Sequence, residues 1–281
     1  IAAGALLFFV AFVAWFRARH VPFAAALCER DLLRAFRQAR PLQYVTIVAL
    51  RSPAMLGAFW VYAQAAGLFG VEVSVVEAGS AEAIEAAVRP STRVLISESP
   101  TNPYNKIVDL DRIGDIGRRH RLITIIDSTF ATPVNQQPIA HGIDLVLHSA
   151  TKYLSGHNDV MGGVILGSAA MIDAIRDCQG ILGGIIDPHA AYLILRGLKT
   201  LPLRVERQNE SALRIAEMLA GHPRVERVHY AGLRGHPGHD IAARQMRGFG
   251  GVVSFEVRGD LEATSRVVDG VRIFQIAPSL G

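Results

Sequence analysis

The chain has 281 residues, 50% hydrophobic and 19% charged, enough to bury a large core and too apolar for a disordered tail. Its net charge of +4 comes from basic residues scattered among acidic neighbours. It lacks the Lys/Arg stripe interleaved with aromatics that marks a nucleic-acid partner.

Two cysteines, Cys28 and Cys178, offer neither a disulfide framework nor zinc-ligand spacing, so a reducing, cytoplasmic setting is expected. The His236–His239 pair has a metal-like spacing, but no metal site is expected. Among the 29 basic residues only three are lysines: Lys106, Lys152 and Lys199. Any lysine chemistry has just three candidates.

In chain order, Ile1 to Phe16 is apolar but shorter than the roughly twenty residues of a membrane span. A buried helix is expected there, with a membrane or targeting segment as the alternative. The chain does not begin with Met and reads as part of a longer protein. Tyr44–Leu50 and Val71–Val76 read as strands and Met55–Leu68 as a helix. Glu82–Val88 predicts a short helix ended by Arg89-Pro90.

Three apolar runs follow, Arg93–Ser97, Leu122–Ile126 and Ile143–Leu147, with a helical stretch at Asp109–His120. Continuous apolar strands separated by helices predict an α/β fold with a mostly parallel sheet covered on both faces. Val164–Leu166 reads as a further strand. Asp187-Pro188 opens a helical region to about Ala220, which Pro202 is expected to kink. Val225–Tyr230, Asp240–Met246 and Val252–Val257 then predict a strand, a helix and a strand of a smaller unit.

Each of the three central runs delivers polar side chains at its carboxyl end, where the ligand crevice of an open α/β sheet lies. The first leads to Glu98-Ser-Pro-Thr-Asn-Pro103, the second to Asp127-Ser-Thr129, and the third to His148-Ser-Ala-Thr-Lys152. A lysine can condense with an aldehyde as a Schiff base. An aspartate can hold the ring nitrogen of pyridoxal phosphate protonated, and hydroxyls can take its phosphate. Asp127, Ser149, Thr151 and Lys152 form a consistent set for that chemistry, with a plain Lys–Asp salt bridge as the equal alternative. His148 and His157 are expected to shape the lysine loop rather than transfer protons.

Those three segments closely resemble the cysteine/methionine-metabolism, or trans-sulfuration, family of pyridoxal-phosphate enzymes. Further similarity follows in order at Asp187-Pro-His-Ala-Ala-Tyr192, Leu195-Arg-Gly-Leu-Lys-Thr-Leu201 and Gln245-Met-Arg-Gly-Phe-Gly-Gly251. The resemblance implies a fold-type-I, aminotransferase-like large domain over 44–210, after an aberrant or divergent segment 1–43. It also implies an incomplete smaller α/β domain over 211–281.

By the same resemblance, Lys152 is the catalytic lysine that holds the cofactor, and Asp127 pairs with the ring nitrogen. Ser149 and Thr151 bind the phosphate, and Asn102 lies by the phenolic oxygen and the substrate carboxylate. Ser279 helps hold that carboxylate. The implied activity is β/γ-elimination or γ-replacement on cystathionine, methionine or O-acylhomoserine, in a homodimer or homotetramer with shared sites. The alternative is a truncated or degenerate homologue without turnover, because Ile1–Gln43 lacks the family's Ser-Gly-Met-Ala segment. The family's Asp-Asn-Thr is here Asp127-Ser128-Thr129.

Overall fold

The computed structural model describes residues 72–274. The expectations for Ile1–Phe16, Tyr44–Leu50 and Met55–Leu68 lie outside them. A short helix, α1 (Ala81–Ala86), precedes strand β1 (Val94–Glu98); helix α2 (Leu110–His120) then crosses to β2 (Ile123–Asp127). β3 (Leu145–Ser149) and β4 (Gly163–Gly167) complete a sheet in the order β1-β2-β3-β4. The first three strands are parallel, with Glu98 in register with Asp127 and Asp127 with Leu147. β4 returns antiparallel, pairing Gly163 with Ser149. The fold is therefore α/β with a mostly parallel sheet, as the sequence predicts.

α2 forms where it does because Asp109 caps it, accepting from Arg112 N at 3.3 Å, and Arg118, Arg119 and His120 favour its negative end. Its apolar stripe, Leu110, Ile113 and Ile116, packs with Leu95, Ile126 and Ile143 in one cluster. Leu110, Ile113 and Ile126 are fully buried, each contributing about 1.5–3 kcal/mol. Side chains alternate along a strand. Burying Ile126 against α2 therefore sends Asp127 to the opposite face.

Two expectations are corrected. Residues 72–76 are irregular, although Val71–Val76 reads as a strand. β-branched residues favour extended backbone, but a strand also needs a ladder partner, and among the described residues none pairs with it. Pro202 does not kink a long helix. The region is two helices, Pro188–Leu198 and Leu201–Ala220, and Pro202 stands in the first turn of the second, where its missing N–H costs nothing. Between β4 and these lies an unpredicted helix, α4 (Ala169–Leu182). With α3 as the short turn Thr132–Asn135, the two later helices are α5 and α6.

β5 (Val225–His229) and β6 (Ser254–Val257) form an antiparallel pair, with α7 (His239–Gln245) between them. All of these elements fall in one compact unit, Ser74–Arg258. Within it Asn105 Nδ2 donates to His229 O at 2.9 Å, and Gln245 Nε2 donates to Val108 O at 2.9 Å. Helix α8 (Leu261–Gly270) belongs to the second unit; Asp260 caps it through Ala263 N. Among the described residues no helix is long and apolar enough to cross a membrane.

Candidate active site

The parallel order brings the carboxyl ends of β1, β2 and β3 side by side. Asp127 ends β2, and its Oδ1 accepts from Thr129 N at 2.9 Å and from Thr129 Oγ1 at 2.5 Å. The same Thr129 hydroxyl accepts from Ser149 N at 2.8 Å. One threonine thus ties the Asp127 turn to the start of the lysine segment. Oδ2 of Asp127 takes no hydrogen bond from a described residue.

Beyond Ser149 the chain makes a π-helical turn, Ala150–Leu154, interrupted at Lys152 by φ −89° and ψ −120°. Lys152 forms no ion pair with a described residue, so the salt bridge to Asp127 is not made. Lys106 provides the contrast, since its Nζ binds Glu77 at 2.5 Å. A cavity of about 630 Å³ opens beside Lys152, lined also by Ser149, Thr151, Asn158 and Asp159, with Val160 and Met161 as its apolar wall. That is the size of a pocket for a cofactor-sized molecule.

The expected residues are not equivalent in this arrangement. The Ser149 hydroxyl makes no hydrogen bond to a described residue. The Thr151 hydroxyl is engaged, donating to Gly162 O at 3.3 Å and accepting from Gly162 N at 2.9 Å. Asn102 sits in the loop after β1, its N–H donating to Glu98 Oε2 at 3.1 Å; neither it nor Asp127 lines the cavity. Ser279 lies outside the described residues. His157 Nδ1 is 2.6 Å from Ser155 O. His148 is buried with Nδ1 unpartnered. Burial pushes its imidazole below the usual range, against the opposing pull of the Asp127 charge.

Sequence reasoning assigned no role to Glu98 or Thr129. Glu98 is in register with Asp127 on the neighbouring strand and shares its face. Burial pushes its carboxyl up, the Asn102 N–H opposes this, and the Asp127 charge adds to the rise. The available signal was its place at the end of β1, matching that of Asp127 on β2. Thr129 carried none, because its role depends on the approach of β3.

The lysine turn is held from outside by α5. Gly197 on α5 lies so close that a Cβ there would run into Ser155 O and stand 2.7 Å from Leu154 O. Gly197→Ala is therefore expected to push α5 off the turn. The expected cost is about 1–3 kcal/mol, read as a fall in melting temperature of about 2–4 °C per kcal/mol.

The donor set fits pyridoxal phosphate: an amine, one carboxylate oxygen and a hydroxyl, none of them with a partner among the described residues, lie at adjacent strand ends. The family described as Cys/Met metabolism PLP-dependent enzyme matches residues 50–281. Over 213 residues the chain is 50% identical to cystathionine gamma-synthase 1 of Arabidopsis thaliana, covering 75% of this chain and 38% of that protein. It is 44% identical over 214 residues to a cystathionine beta-lyase of Coxiella burnetii, covering 75% and 55%. The crystal structure of cystathionine gamma-lyase from Lactobacillus plantarum complexed with L-serine superposes with a TM-score of 0.76 at 36% identity. That match covers 80% of this chain and 59% of that one. The chain thus spans less than two thirds of the length of each.

Proposed function

The chain belongs to the family of Cys/Met-metabolism PLP-dependent enzymes, and from that premise we propose that its protein is a trans-sulfuration enzyme. It carries out β- or γ-elimination, or γ-replacement, on cystathionine, methionine or an O-acylhomoserine. The observation that carries the reading is the pair of strand ends joined by Thr129, with Lys152 on one side and Asp127 Oδ2 on the other, neither bound by a described residue.

Pyridoxal phosphate supplies an aldehyde that amines condense with, and a ring that accepts the electron pair left at a substrate's α-carbon. Lys152 Nζ would hold the cofactor and would be the group that takes the proton from the substrate's α-carbon. Asp127 Oδ2 holds a proton at the ring nitrogen, keeping the ring able to accept charge. Ser149 Oγ donates to the phosphate. Thr151 joins it by giving up its donation to Gly162 O. Asn102 serves the phenolic oxygen and, with Ser279, the substrate carboxylate. Glu98 fixes the Asn102 loop through the N–H it accepts.

We assign the protein to the cytoplasm and to a homodimer or homotetramer with shared sites, in which 44–210 form the cofactor domain and 211–281 the smaller one. Supporting the assembly, Met161, Ile181, Leu182 and Ile185 are 70–85% exposed. Met161 borders the lysine cavity, and so much bare apolar surface is what a subunit contact covers.

The deciding experiment is a substrate panel of cystathionine, methionine and acylated homoserine, with and without a thiol, on the full-length protein with and without added pyridoxal phosphate. Cofactor-dependent release of keto acid and ammonia, or thiol-dependent formation of cystathionine or homocysteine, is expected. Failure of all three substrates with the cofactor bound would remove the proposed activity.

A further inference from the structure

The turn that carries Lys152 does not satisfy all of its own carbonyls. A helical turn leaves its last carbonyls without internal partners. Here Ala150 O is satisfied by Ser155 N at 3.0 Å and Lys152 O by Gly156 N at 2.8 Å. The Ser155 hydroxyl reaches back to Thr151 O at 3.1 Å and Lys152 O at 3.3 Å. Tyr153 O is left over, and it is met from α6. Arg204 Nη1 donates to it at 2.8 Å, while Nη2 donates to Gly197 O at 2.8 Å and Nε to Thr200 Oγ1 at 3.0 Å.

Two nitrogens of the Arg204 guanidinium are therefore spent on the lysine turn and on the end of α5 behind it, and the third on Thr200, the N-cap of its own helix α6. No described carboxylate pairs with it. The plane of the group lies against Gly156, whose φ is +69° and where a Cβ would stand 2.9 Å from Nη2 and run into Nη1. An arginine with that many neutral acceptors and no acid serves geometry rather than charge balance, because its fixed fork matches several acceptors at once.

We propose that Arg204 is a positioning residue for Lys152: its guanidinium clamps the lysine turn to α5 and so fixes where the reactive amine stands. The proposal rests on Lys152 being that amine, and its test separates the two claims. Arg204→Ala and Arg204→Lys are made in the full-length protein; the lysine variant keeps charge and stem, and guards against a misfolded alanine variant.

In cofactor-free protein, amide hydrogen exchange of the peptide covering 150–157 should quicken by about tenfold or more in both variants, with the peptide covering 145–149 unchanged. In cofactor-loaded protein, the visible circular dichroism, which reports how the ring is held, should weaken. Turnover should fall by roughly 10- to 100-fold with little change in KM.

Wild-type exchange over 150–157 in both variants overturns the clamp. Quickened exchange with unaltered dichroism and turnover overturns the positioning role and leaves a structural one. Restoration by Arg204→Lys overturns the fork geometry. Failure of the wild type to bind the cofactor through Lys152 removes the functional reading, while the exchange arm still decides the clamp.

Discussion

Replacing Lys152 with alanine in the full-length protein is expected to abolish the visible absorption of lysine-held pyridoxal phosphate and to lower turnover by roughly 10²–10⁴-fold or more, the share owed to proton transfer alone. The size of the effect follows from how few lysines this sequence holds. Lys106 is held by Glu77 at 2.5 Å, and Lys199 caps the end of α5. The 26 positions elsewhere that are basic are arginines, which cannot form a Schiff base. The fold should survive the change, because Lys152 Nζ makes no ion pair with a described residue and the turn is held by its backbone and by Arg204. An unaltered absorption spectrum in this variant would move the chemistry away from Lys152.

The second large effect is expected from Asp127→Asn. Asparagine keeps the size of the side chain and an oxygen that can still accept from Thr129 N and Thr129 Oγ1. The turn and its tie to Ser149 should therefore persist. What goes is the negative charge at the position of Oδ2, and with it the stabilisation of a protonated ring nitrogen. Turnover should fall by roughly 10²–10³-fold, as when one preorganised electrostatic partner is removed. The visible band should be retained, because Lys152 is untouched. A kcat within about twofold of wild type would exclude Asp127 from the ring-nitrogen role.

The parts that were legible in the sequence are those written locally. The three apolar runs stand within one or two residues of β1, β2 and β3, because burial on the α2 side demands apolar side chains there. Asp127, Ser149 and Lys152 follow directly from where those runs end. Asp109 and Asp187 stand at the starts of the two helical stretches read from the sequence, and both cap their helices, α2 and α5, the latter accepting from His189 N at 2.9 Å and Ala190 N at 3.0 Å.

What was not legible depends on partners distant in sequence. Thr129 matters only once β3 lies beside β2. Arg204 lies 51 residues from the carbonyl it holds. Nothing in Thr151 itself predicts that Gly162, from across β3 and β4, takes its hydroxyl. α4 was missed although its sequence carries both a cap, Ser168 accepting from Met171 N, and an apolar stripe at helical spacing, Met171, Ile175, Cys178 and Leu182; none of its residues is buried among the described ones. Val71–Val76 failed in the opposite sense, with strong local preference but no described ladder to join.

The measurement that tests the central claim most directly uses the small number of lysines. The full-length protein is loaded with pyridoxal phosphate, reduced with borohydride so that any lysine-held cofactor is fixed in place, digested, and its peptides are weighed. The phosphopyridoxyl mass is predicted on Lys152 alone, the lysine in the segment His148-Ser-Ala-Thr-Lys-Tyr153. The same mass on Lys106 or Lys199, or no labelled peptide at all, would contradict the account.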